Sequence, residues 1–446
     1  MVKTTRIRSG FVSILITLSL LTLSWQVERR PHVTASPILP IGKHAIENGM
    51  VYRVVVKNPD TADYAVYHIF IPNGLDTVRG VFVHQHGCGM EGRGESTAYD
   101  VQYQAFAKKW GLAIVGPDLY YQSGCMEWRD PASGSGPSLI RALEEVGTVS
   151  THPELKEAPW LLWGHSGGGY WTLGMMKDYP DRILAAFCYS PAFDPAWDYP
   201  EAALRIPLMI RHAGAGDANA SGVRCWQTAV NTFQKLRAEG GLVSIAYTPY
   251  QNHNYSFVRY MAIPFYESVL SKRLPTRTQV SFEHMKDLDK TAGWLGDIRS
   301  LNTYAYSKYP EDRSAGSWLP DSAIAAKWKE FVITGTVIDR TPPPAPYGLT
   351  KTRRHNMAVE LTWHGDADVE SGIKQFCIYD GDRLIARFPE QGVYQRFDTN
   401  GDDAIPMPAL PMRTVVALPE GADSSLTIRA INHFDLESPR VAFPTK

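Results

Sequence analysis

The sequence lacks three features that mark large classes of protein. Lys and Arg number 45 against 46 Asp and Glu, so the 446-residue chain has no basic excess pointing to nucleic acid or an anionic membrane surface. Its five cysteines include no CxxC pair, which argues against a zinc site. Beyond residue 35 there is no second apolar run of membrane-spanning length. The composition is that of an ordinary globular protein, and its length suggests about two or three structural units.

The one long apolar run lies at the N-terminus. The stretch "FVSILITLSLLTLS" follows Lys3, Arg6 and Arg8 and precedes the small-residue stretch "VTAS". Because this run is shorter than the ~20 residues that span a bilayer, residues 1–35 are predicted to be a secretory signal peptide, with an uncleaved anchor as the alternative. We expect a secreted or periplasmic protein without stable membrane insertion after cleavage.

Residues 36–270 alternate strand-like runs with longer helical stretches. Several runs are continuously apolar, which is typical of parallel strands covered on both faces. The predicted strands are "VYRVVV", "YAVYHIFI", "GVFVHQH", "LAIVG", "PWLLW", "ILAAFCYS", "IPLMIRH" and "LVSIAYT". The predicted helices are 98–110, 137–149, 170–178, 222–238 and 255–270. This alternation predicts a doubly wound α/β domain with a mostly parallel eight-stranded sheet.

The rest of the chain divides at a proline-rich linker. Residues 271–338 are expected to pack on the α/β domain; Pro320 and Asp321 predict the start of a short helix, and "GWLGDIRSLNTYAY" is left unassigned. The stretch "DRTPPPAPYGL" marks a stiff linker. In residues 339–446 the apolar period is two, and Asp380-Gly381 predicts a hairpin. We therefore predict a small all-β sandwich as the tail.

Four segments of this tail carry a family resemblance. They are the "TPPPAP" entry, the Trp363 strand "VELTW", the "SGIKQFCIYDGDRL" hairpin and the closing "AINHFDLES". With these segments the last hundred or so residues resemble a fibronectin type III domain.

The segment "WGHSGGGYW" contains the candidate nucleophile, Ser166. This serine is the centre of a G-x-S-x-G motif between the predicted strand "PWLLW" and a predicted helix. A nucleophile elbow requires this strand–turn–helix context, because the serine adopts a strained backbone and the glycines let strand and helix approach closely. The alternative is a glycine-rich turn without catalytic chemistry.

A serine hydroxyl needs a general base, and the base needs a carboxylate that orients it. In the chain order Ser, acid, His, the segments "IPLMIRHAGAGDANA" and "LVSIAYTPYQNHNYSF" deliver Asp217 and His253. These residues follow the seventh and eighth predicted strands. Both are therefore expected at the carboxyl edge of the sheet, where ligands bind.

Other residues compete for these two roles. Asp194 and Asp198 follow the sixth predicted strand, where some hydrolases carry their acid. His84 and His86 on the third strand and His212 on the seventh are alternative bases. A histidine within a strand is more often a hydrogen-bonded core residue, so the chain order favours the histidine that follows the eighth strand.

The negative charge that develops on the substrate needs two preorganised N–H donors. Gly167, which follows the nucleophile, is the first candidate. The loop "HGCGM" after the third predicted strand is similar to the HGGG-type motif of lipases and esterases, and Cys88 is its expected donor. A glycine-rich turn without a ligand is the alternative interpretation of this loop.

Taken with these motifs, residues 50–270 resemble an α/β-hydrolase of the esterase and dienelactone-hydrolase-like branch. The short "VHQHGCG" loop, the absence of a large cap between the sixth and seventh strands and the signal peptide indicate the branch. The resemblance implies a serine carboxylesterase that uses an acyl-serine intermediate and no metal or organic cofactor. It also implies that the third and fourth strands lie near each other, so Cys88 and Cys125 are expected to form a disulfide, with two free thiols as the alternative.

Aromatic residues crowd the same strand ends and suit either an open substrate cleft or loop packing. Tyr120, Trp197 and Tyr255 are the substrate-binding candidates. The expected partner is an ester substrate, and the β tail is compatible with a polymeric polysaccharide or polyester as well as with a spacer role. A serine peptidase of the same fold and a non-catalytic secreted binding protein remain alternatives.

Overall fold

The computed structural model describes residues 36–37, 40–58, 61–193, 196–217, 224–253, 256–354, 358–394, 411–417 and 426–444. The predicted signal peptide, residues 1–35, lies outside these ranges, as do Asp194 and Tyr255. Within the described ranges, none of the helices has both the length and the apolar character needed to cross a membrane.

A ten-stranded mixed sheet forms the centre of residues 36–270. Its strands are β1 (Ser36–Pro37), β2 (Gly42–Ile46), β3 (Gly49–Lys57), β4 (Tyr64–Pro72), β5 (Gly80–Gln85), β6 (Leu112–Tyr120), β7 (Trp160–His165), β8 (Ile183–Tyr189), β9 (Leu208–His212) and β10 (Val243–Tyr247). The order across the sheet is β1-β3-β4-β6-β5-β7-β8-β9-β10, with β2 paired to β3. Strands β5 to β10 are parallel to one another, whereas β3 and β4 are antiparallel.

All eight strands predicted from the sequence lie in this sheet. The predicted number of strands is nevertheless wrong, because β1 and β2 both pair with β3. The third and fourth predicted strands, β5 and β6, are direct parallel neighbours. The loops that follow these two strands therefore begin side by side at the same edge of the sheet.

Helices lie on both faces of the sheet. They are α1 (Gly94–Tyr99), α2 (Val101–Trp110), α3 (Cys125–Trp128), α4 (Ser135–Ser150), α5 (Gly167–Asp178), α6 (Glu201–Leu204), α7 (Cys225–Ala238), α8 (Arg259–Arg273) and α9 (Ser322–Thr334). Side chains of α3, α4, α5 and α7 share one apolar core with the sheet, and those of α1, α2, α8 and α9 share a second. Strand β7 is buried throughout because it contributes Leu162 to the first core and Trp163 to the second.

The single helix predicted at 98–110 is two helices. The carboxylate of Asp100 accepts hydrogen bonds from the backbone nitrogens of Gln102 at 2.9 Å and Tyr103 at 3.0 Å. Asp100 thereby caps the start of α2, and its extended backbone ends α1. The sequence prediction missed this break because an internal aspartate cap does not interrupt the apolar pattern.

Residues 271–338 extend the α/β core. The segment left unassigned by the sequence forms β11 (Trp294–Gly296) and β12 (Thr303–Ala305), which join β13 (Ser317–Leu319) in a small antiparallel sheet. The predicted cap is present, since Asp321 accepts a hydrogen bond from the backbone nitrogen of Ile324 at the start of α9. The indole nitrogen of Trp328 on α9 donates to the carbonyl of Ile245 on β10 at 2.8 Å. This segment therefore packs against the strand that precedes His253.

The tail is all-β in its described parts. Its strands are β14 (Tyr347–Arg353), β15 (Ala358–His364), β16 (Gln375–Asp380), β17 (Arg383–Phe388), β18 (Arg413–Ala417), β19 (Leu426–Ile431) and β20 (Val441–Ala442). They form a three-stranded and a four-stranded sheet around one apolar core. The predicted hairpin at Asp380-Gly381 joins β16 to β17. Membership of the fibronectin type III family stays a prediction.

Candidate active site

Ser166 occupies a strained turn between β7 and α5. Its backbone φ of 54° and ψ of −116° lie in a region that a non-glycine residue rarely adopts. The strain is compensated by backbone hydrogen bonds: Ser166 N donates to Tyr189 O at 3.0 Å, and Ser166 O accepts from Tyr170 N and Ala192 N. The serine is thus held at the carboxyl edge of the sheet, in the strand–turn–helix geometry predicted for a nucleophile elbow.

The glycines around Ser166 permit close approaches of backbone. A Cβ on Gly164 would overlap the backbone of Gly168, where β7 crosses the start of α5. A Cβ on Gly168 would lie 2.6 Å from the carbonyl oxygen of His86. Larger residues at either position would push strand, helix and the loop after β5 apart.

Asp217 and His253 form a hydrogen-bonded pair. Nδ1 of His253 lies 2.9 Å from Oδ1 of Asp217, and the aspartate side chain is fully buried whereas the histidine retains some exposure. Because an ionised carboxylate only accepts hydrogen bonds, Nδ1 carries the proton of this contact. In the neutral imidazole this leaves Nε2 free of a proton and able to accept one.

His253 also contacts the residue that precedes Ser166. Nε2 of His165 donates to the carbonyl of His253 at 3.0 Å, and the two imidazole rings are 4.7 Å apart. His165 is the last residue of β7, whereas His253 follows β10. The loop after β10 therefore reaches back across the ends of β9 and β8 to the residue that precedes the candidate nucleophile.

The surroundings of Asp217 favour its ionised form. Burial alone would raise the pKa of its carboxyl group, but hydrogen bonds from His253, the backbone nitrogen of Ala213 and Ser190, with the positive charge of Arg211, outweigh burial and lower it. The carboxylate is therefore charged at neutral pH. A charged acceptor both orients the imidazole and stabilises its protonated form.

The candidate oxyanion loop packs directly on Ser166. A Cβ on Gly87 would lie 3.2 Å from Cβ of Ser166. A Cβ on Gly167 would lie 3.5 Å from the backbone nitrogen of Cys88. The two candidate N–H donors, those of Gly167 and Cys88, therefore belong to segments that touch each other beside the serine.

The predicted disulfide between Cys88 and Cys125 is present, with the two Cα atoms 5.1 Å apart. It joins the loop after β5 to α3, which follows β6. A Cβ on Gly167 would lie only 2.6 Å from Sγ of Cys125, so the bridge lies against the first residue after Ser166. The cross-link thereby restrains the oxyanion loop at the candidate site.

Further bonds anchor the far end of this loop. Oδ1 of Asp118 on β6 accepts from the backbone nitrogens of Gly92 at 2.7 Å and Gly94 at 2.8 Å. Nε2 of His86 donates to the carbonyl of Arg93 at 2.9 Å. His86, one of the alternative bases, is therefore engaged in holding the loop.

The other candidates for the acid and the base lie in different surroundings from Asp217 and His253, where they are described. Asp198 is exposed and pairs with Lys235 at 2.7 Å, and Asp194 lies outside the described residues. His84 is buried in β5 and stacks on Trp163 at 4.8 Å. His212 accepts a hydrogen bond from its near neighbour Gly214 on Nδ1 and stacks on a tyrosine ring.

The predicted substrate-binding residues stay predictions, and two of them have described ring contacts. Tyr120 stacks on Tyr64 with ring centres 4.8 Å apart. Trp197 contacts Tyr170, which lies one helical turn beyond Ser166, at 4.7 Å. Tyr255 lies outside the described residues. Trp197 is thus the one of the three with a described link to the serine helix.

One group in the described structure could hold a metal ion, and it overlaps the candidate pair. The ligand atoms of Asp217, Cys225 and His253 lie within 4.8 Å of one another. Two of these side chains already share a hydrogen bond. Burial and the nearby Asp217 raise the pKa of the Cys225 thiol to about 12, which disfavours the thiolate that binds metals.

Sequence reasoning missed Arg211 and Ser190. Arg211 lies on β9 with none of its surface exposed, and Ser190 follows β8. The signal for Arg211 is present in "IPLMIRH", where a charged residue interrupts an apolar strand. A buried arginine needs hydrogen-bonding or charged partners. Its position on the strand before Asp217 could therefore have indicated that it belongs to the site.

No protein-family model matches the chain. The sequence is 26% identical to acetylxylan esterase A of Aspergillus awamori over 162 residues. This alignment covers 35% of this chain and 52% of that protein. Over 127 residues it is 27% identical to feruloyl esterase B of Thermothelomyces thermophilus, covering 28% of this chain and 43% of that protein. The sequence similarity is to esterases. The chain spans about half the length of the curated relatives it matches.

Solved structures with similarity to the chain include two hydrolases. S-Formylglutathione hydrolase from Agrobacterium tumefaciens has 15% identity and a TM-score of 0.38, covering 52% of this chain and 99% of that chain. Acetyl xylan esterase from Aspergillus awamori has 16% identity and a TM-score of 0.29, covering 40% of this chain and 73% of that chain.

Proposed function

We propose that the protein is an exported serine hydrolase that cleaves carboxylic esters through an acyl-serine intermediate. The observation that carries the proposal is the Asp217–His253 hydrogen bond of 2.9 Å, next to the strained turn that holds Ser166. Similarity to acetylxylan and feruloyl esterases over about a third of the chain supports the same chemistry. The reaction needs no metal or organic cofactor.

In the first half of the reaction, Oγ of Ser166 attacks the ester carbonyl carbon and its proton passes to Nε2 of His253. The carbonyl oxygen becomes negative and accepts hydrogen bonds from the backbone nitrogens of Gly167 and Cys88. Asp217 stabilises the imidazolium that forms. The bond between the carbonyl carbon and the alkoxy oxygen then breaks, and the alcohol leaves with the proton from His253.

In the second half, water attacks the acyl-serine ester. His253 accepts one proton of this water, and the carbonyl oxygen again takes negative charge at the same two backbone nitrogens. The bond to Oγ of Ser166 breaks as the serine regains its proton from the imidazolium. The carboxylic acid is released and the enzyme returns to its starting state.

The proposed substrate class is an acyl ester carried by a polysaccharide. The relatives with similar sequence are named as acetylxylan esterases and a feruloyl esterase. The β tail is also compatible with a polymeric substrate. The predicted signal peptide suits an enzyme that meets such a polymer outside the cell.

The proposal is tested by labelling and by a substrate panel. A fluorophosphonate probe is expected to label the protein, with peptide mapping placing the probe on Ser166 and no labelling of Ser166→Ala. The panel contains acetylated xylan, feruloylated arabinoxylan, an aliphatic polyester and a peptide, assayed with wild type and Ser166→Ala. Hydrolysis of the peptide alone would replace the esterase proposal with a peptidase, and hydrolysis that survives Ser166→Ala would overturn the mechanism.

A further inference from the structure

Arg211 is the most completely buried charge next to the candidate triad. It lies on β9, between β8 and β10, and its side chain has no exposed surface. Taking a guanidinium out of water is unfavourable, and hydrogen bonds from its donors together with an opposite charge offset this desolvation. The hydrogen-bond partners of Arg211 therefore indicate the role of this buried charge.

These partners come from the loops after β8 and β10, the two strands that flank β9. Nε donates to Oγ1 of Thr248 at 2.8 Å, and Nη1 donates to the carbonyl of Asn252 and to Oγ of Ser190, both at 3.0 Å. Nη2 donates to Oε1 of Gln251 at 2.9 Å. Three of the four contacts thus hold the segment 248–252, which leads directly into His253.

The same loop is held from two other directions. Nε2 of Gln251 donates to the carbonyl of Gly335 at 2.9 Å, so the Gln251 amide links Arg211 to the end of α9. Nε2 of His165 donates to the carbonyl of His253 at 3.0 Å. The His253 loop, residues 248–253, is therefore held in place by Arg211, α9 and β7.

Ser190 connects Arg211 to the acid of the pair. Its Oγ accepts from Nη1 of Arg211, and its hydroxyl donates to the carboxylate of Asp217. Arg211 thereby contacts the loop of the histidine directly and the aspartate through one hydroxyl. One rigid, planar guanidinium fork therefore bonds both to the loop that leads into His253 and to the serine beside Asp217.

We propose that Arg211 is a positioning residue for the triad, holding the His253 loop and, through Ser190, the Asp217 carboxylate in their reactive arrangement. This inference rests on the proposed serine esterase function. The guanidinium of Arg211 donates to the loop that leads into His253 and to Ser190, so it acts through His253 and Asp217 rather than on the substrate.

The charge of Arg211 adds an electrostatic consequence. The titratable groups facing Asp217 are His253 from the loop after β10, His212 and Arg211 from β9, and Cys225 from α7. Arg211 is the permanent cation among them and lowers the pKa of Asp217. Without it, proton binding to the coupled Asp217–His253 pair meets less repulsion, so the pair becomes protonated at a higher pH and the acid limb of kcat/KM moves upward.

The test separates the geometric role from the electrostatic one. Arg211→Met, which removes the charge and the donors, is expected to lower kcat/KM for p-nitrophenyl acetate by about a hundredfold and to move the acid limb up by about one pH unit. Arg211→Lys keeps a cation but loses the fork, so it is expected to lower kcat by about tenfold with the acid limb unmoved. Recovery of the pH profile by lysine is a result that a packing role alone does not produce.

Gln251→Ala provides a second variant that leaves Arg211 in place. It removes the link to Gly335 and one partner of the guanidinium, and we expect kcat to fall several-fold without a shift of the acid limb. Gln251 is only partly buried, so this variant decides the matter if Arg211→Met does not fold. Unchanged kcat in Gln251→Ala would then overturn the positioning role.

Arg237→Met is the matched control. Arg237 is also buried, but its guanidinium donates to the carbonyls of Gly316, Gly241 and Arg313, away from the pair. It is expected to lower the melting temperature without moving the pH profile.

A folded Arg211→Met with the wild-type pH profile and kcat/KM would overturn the inference. Wild type and Ser166→Ala are assayed together: equal rates would contradict the proposed function, whereas a rate that depends on Ser166 but not on Arg211 would contradict only the positioning role.

Discussion

The buried carboxylate of Asp217 lies 2.9 Å from Nδ1 of His253, although the two residues are 36 positions apart in the chain. They follow β9 and β10, which are adjacent parallel strands. This pairing favours Asp217 over Asp198, which pairs with Lys235 at the surface.

Asp217→Asn is expected to lower kcat by about 10⁴-fold, because an amide can donate to Nδ1 and so favours the wrong imidazole tautomer. The measurement is hydrolysis of p-nitrophenyl acetate with the fold checked by circular dichroism. Asp198→Asn is the matched control and should retain wild-type kcat. A comparable loss in Asp198→Asn, or none in Asp217→Asn, would reassign the acid.

Removal of the Cys88–Cys125 disulfide should weaken both stability and turnover. Cys125→Ser leaves the backbone nitrogen of Cys88 in the chain but frees a segment of 37 residues, for which chain entropy predicts a loss of about 3 to 4 kcal/mol of unfolding free energy. We expect kcat to fall by about tenfold as the oxyanion donor becomes less well held. Urea unfolding and ester hydrolysis measure the two effects.

Cys377→Ser is the control for this variant, since Cys377 is a buried free thiol on β16 of the tail. It should leave kcat unchanged. If Cys125→Ser turns over substrate at the wild-type rate, glycine turn geometry, Asp118 and His86 hold the loop without the disulfide.

His212 should make the protein less stable in acid. Burial lowers the pKa of His212 to about 4, with Asp217 opposing and Arg211 adding to this shift. The unfolded chain binds this proton near the ordinary value of about 6.5, so unfolding free energy falls as the pH decreases from about 6.5 to about 4, by up to about 3 kcal/mol. Above this window the group contributes no pH dependence.

His212→Asn removes this titration, and urea unfolding at about pH 7 and about pH 4.5 should show a smaller difference than in wild type. His68, whose pKa burial also lowers to about 4, is retained in both proteins and contributes to the remaining slope. An equal pH dependence in variant and wild type would show that His212 is protonated without cost in the fold.

Truncation should distinguish the connecting segment from the β tail. A chain ending at Val337 keeps α9, the Trp328–Ile245 hydrogen bond and the Gly335 carbonyl that holds Gln251, so it is expected to hydrolyse small soluble esters. A chain ending at residue 270 loses these contacts and the buried side chains of α9, and is expected to be insoluble. A folded but inactive chain ending at Val337 would mean that the tail completes the site.

Several features of the site could be predicted from the sequence because they depend on neighbours in the chain. The turn at Ser166 follows from glycines that flank it, and the strands around it follow from continuous apolar runs. Asp217 and His253 could be placed at one edge because consecutive parallel strands end there. The break at Asp100 and the strands β11 and β12 were missed, since a side-chain cap and three-residue strands leave little periodic signal.

The sequence by itself determined the apolar runs and the G-x-S-x-G turn, because burial patterns and backbone sterics depend on residues a few positions apart. It also contains the chain order of serine, acid and histidine. Only the tertiary structure decided that Arg211 spans the ends of three strands, that Gln251 reaches Gly335, and that Trp197 packs on Tyr170 of the serine helix. These contacts depend on which strands lie side by side and on their register. Strand order is set by the packing of the whole sheet and both of its cores, and no local segment carries that information.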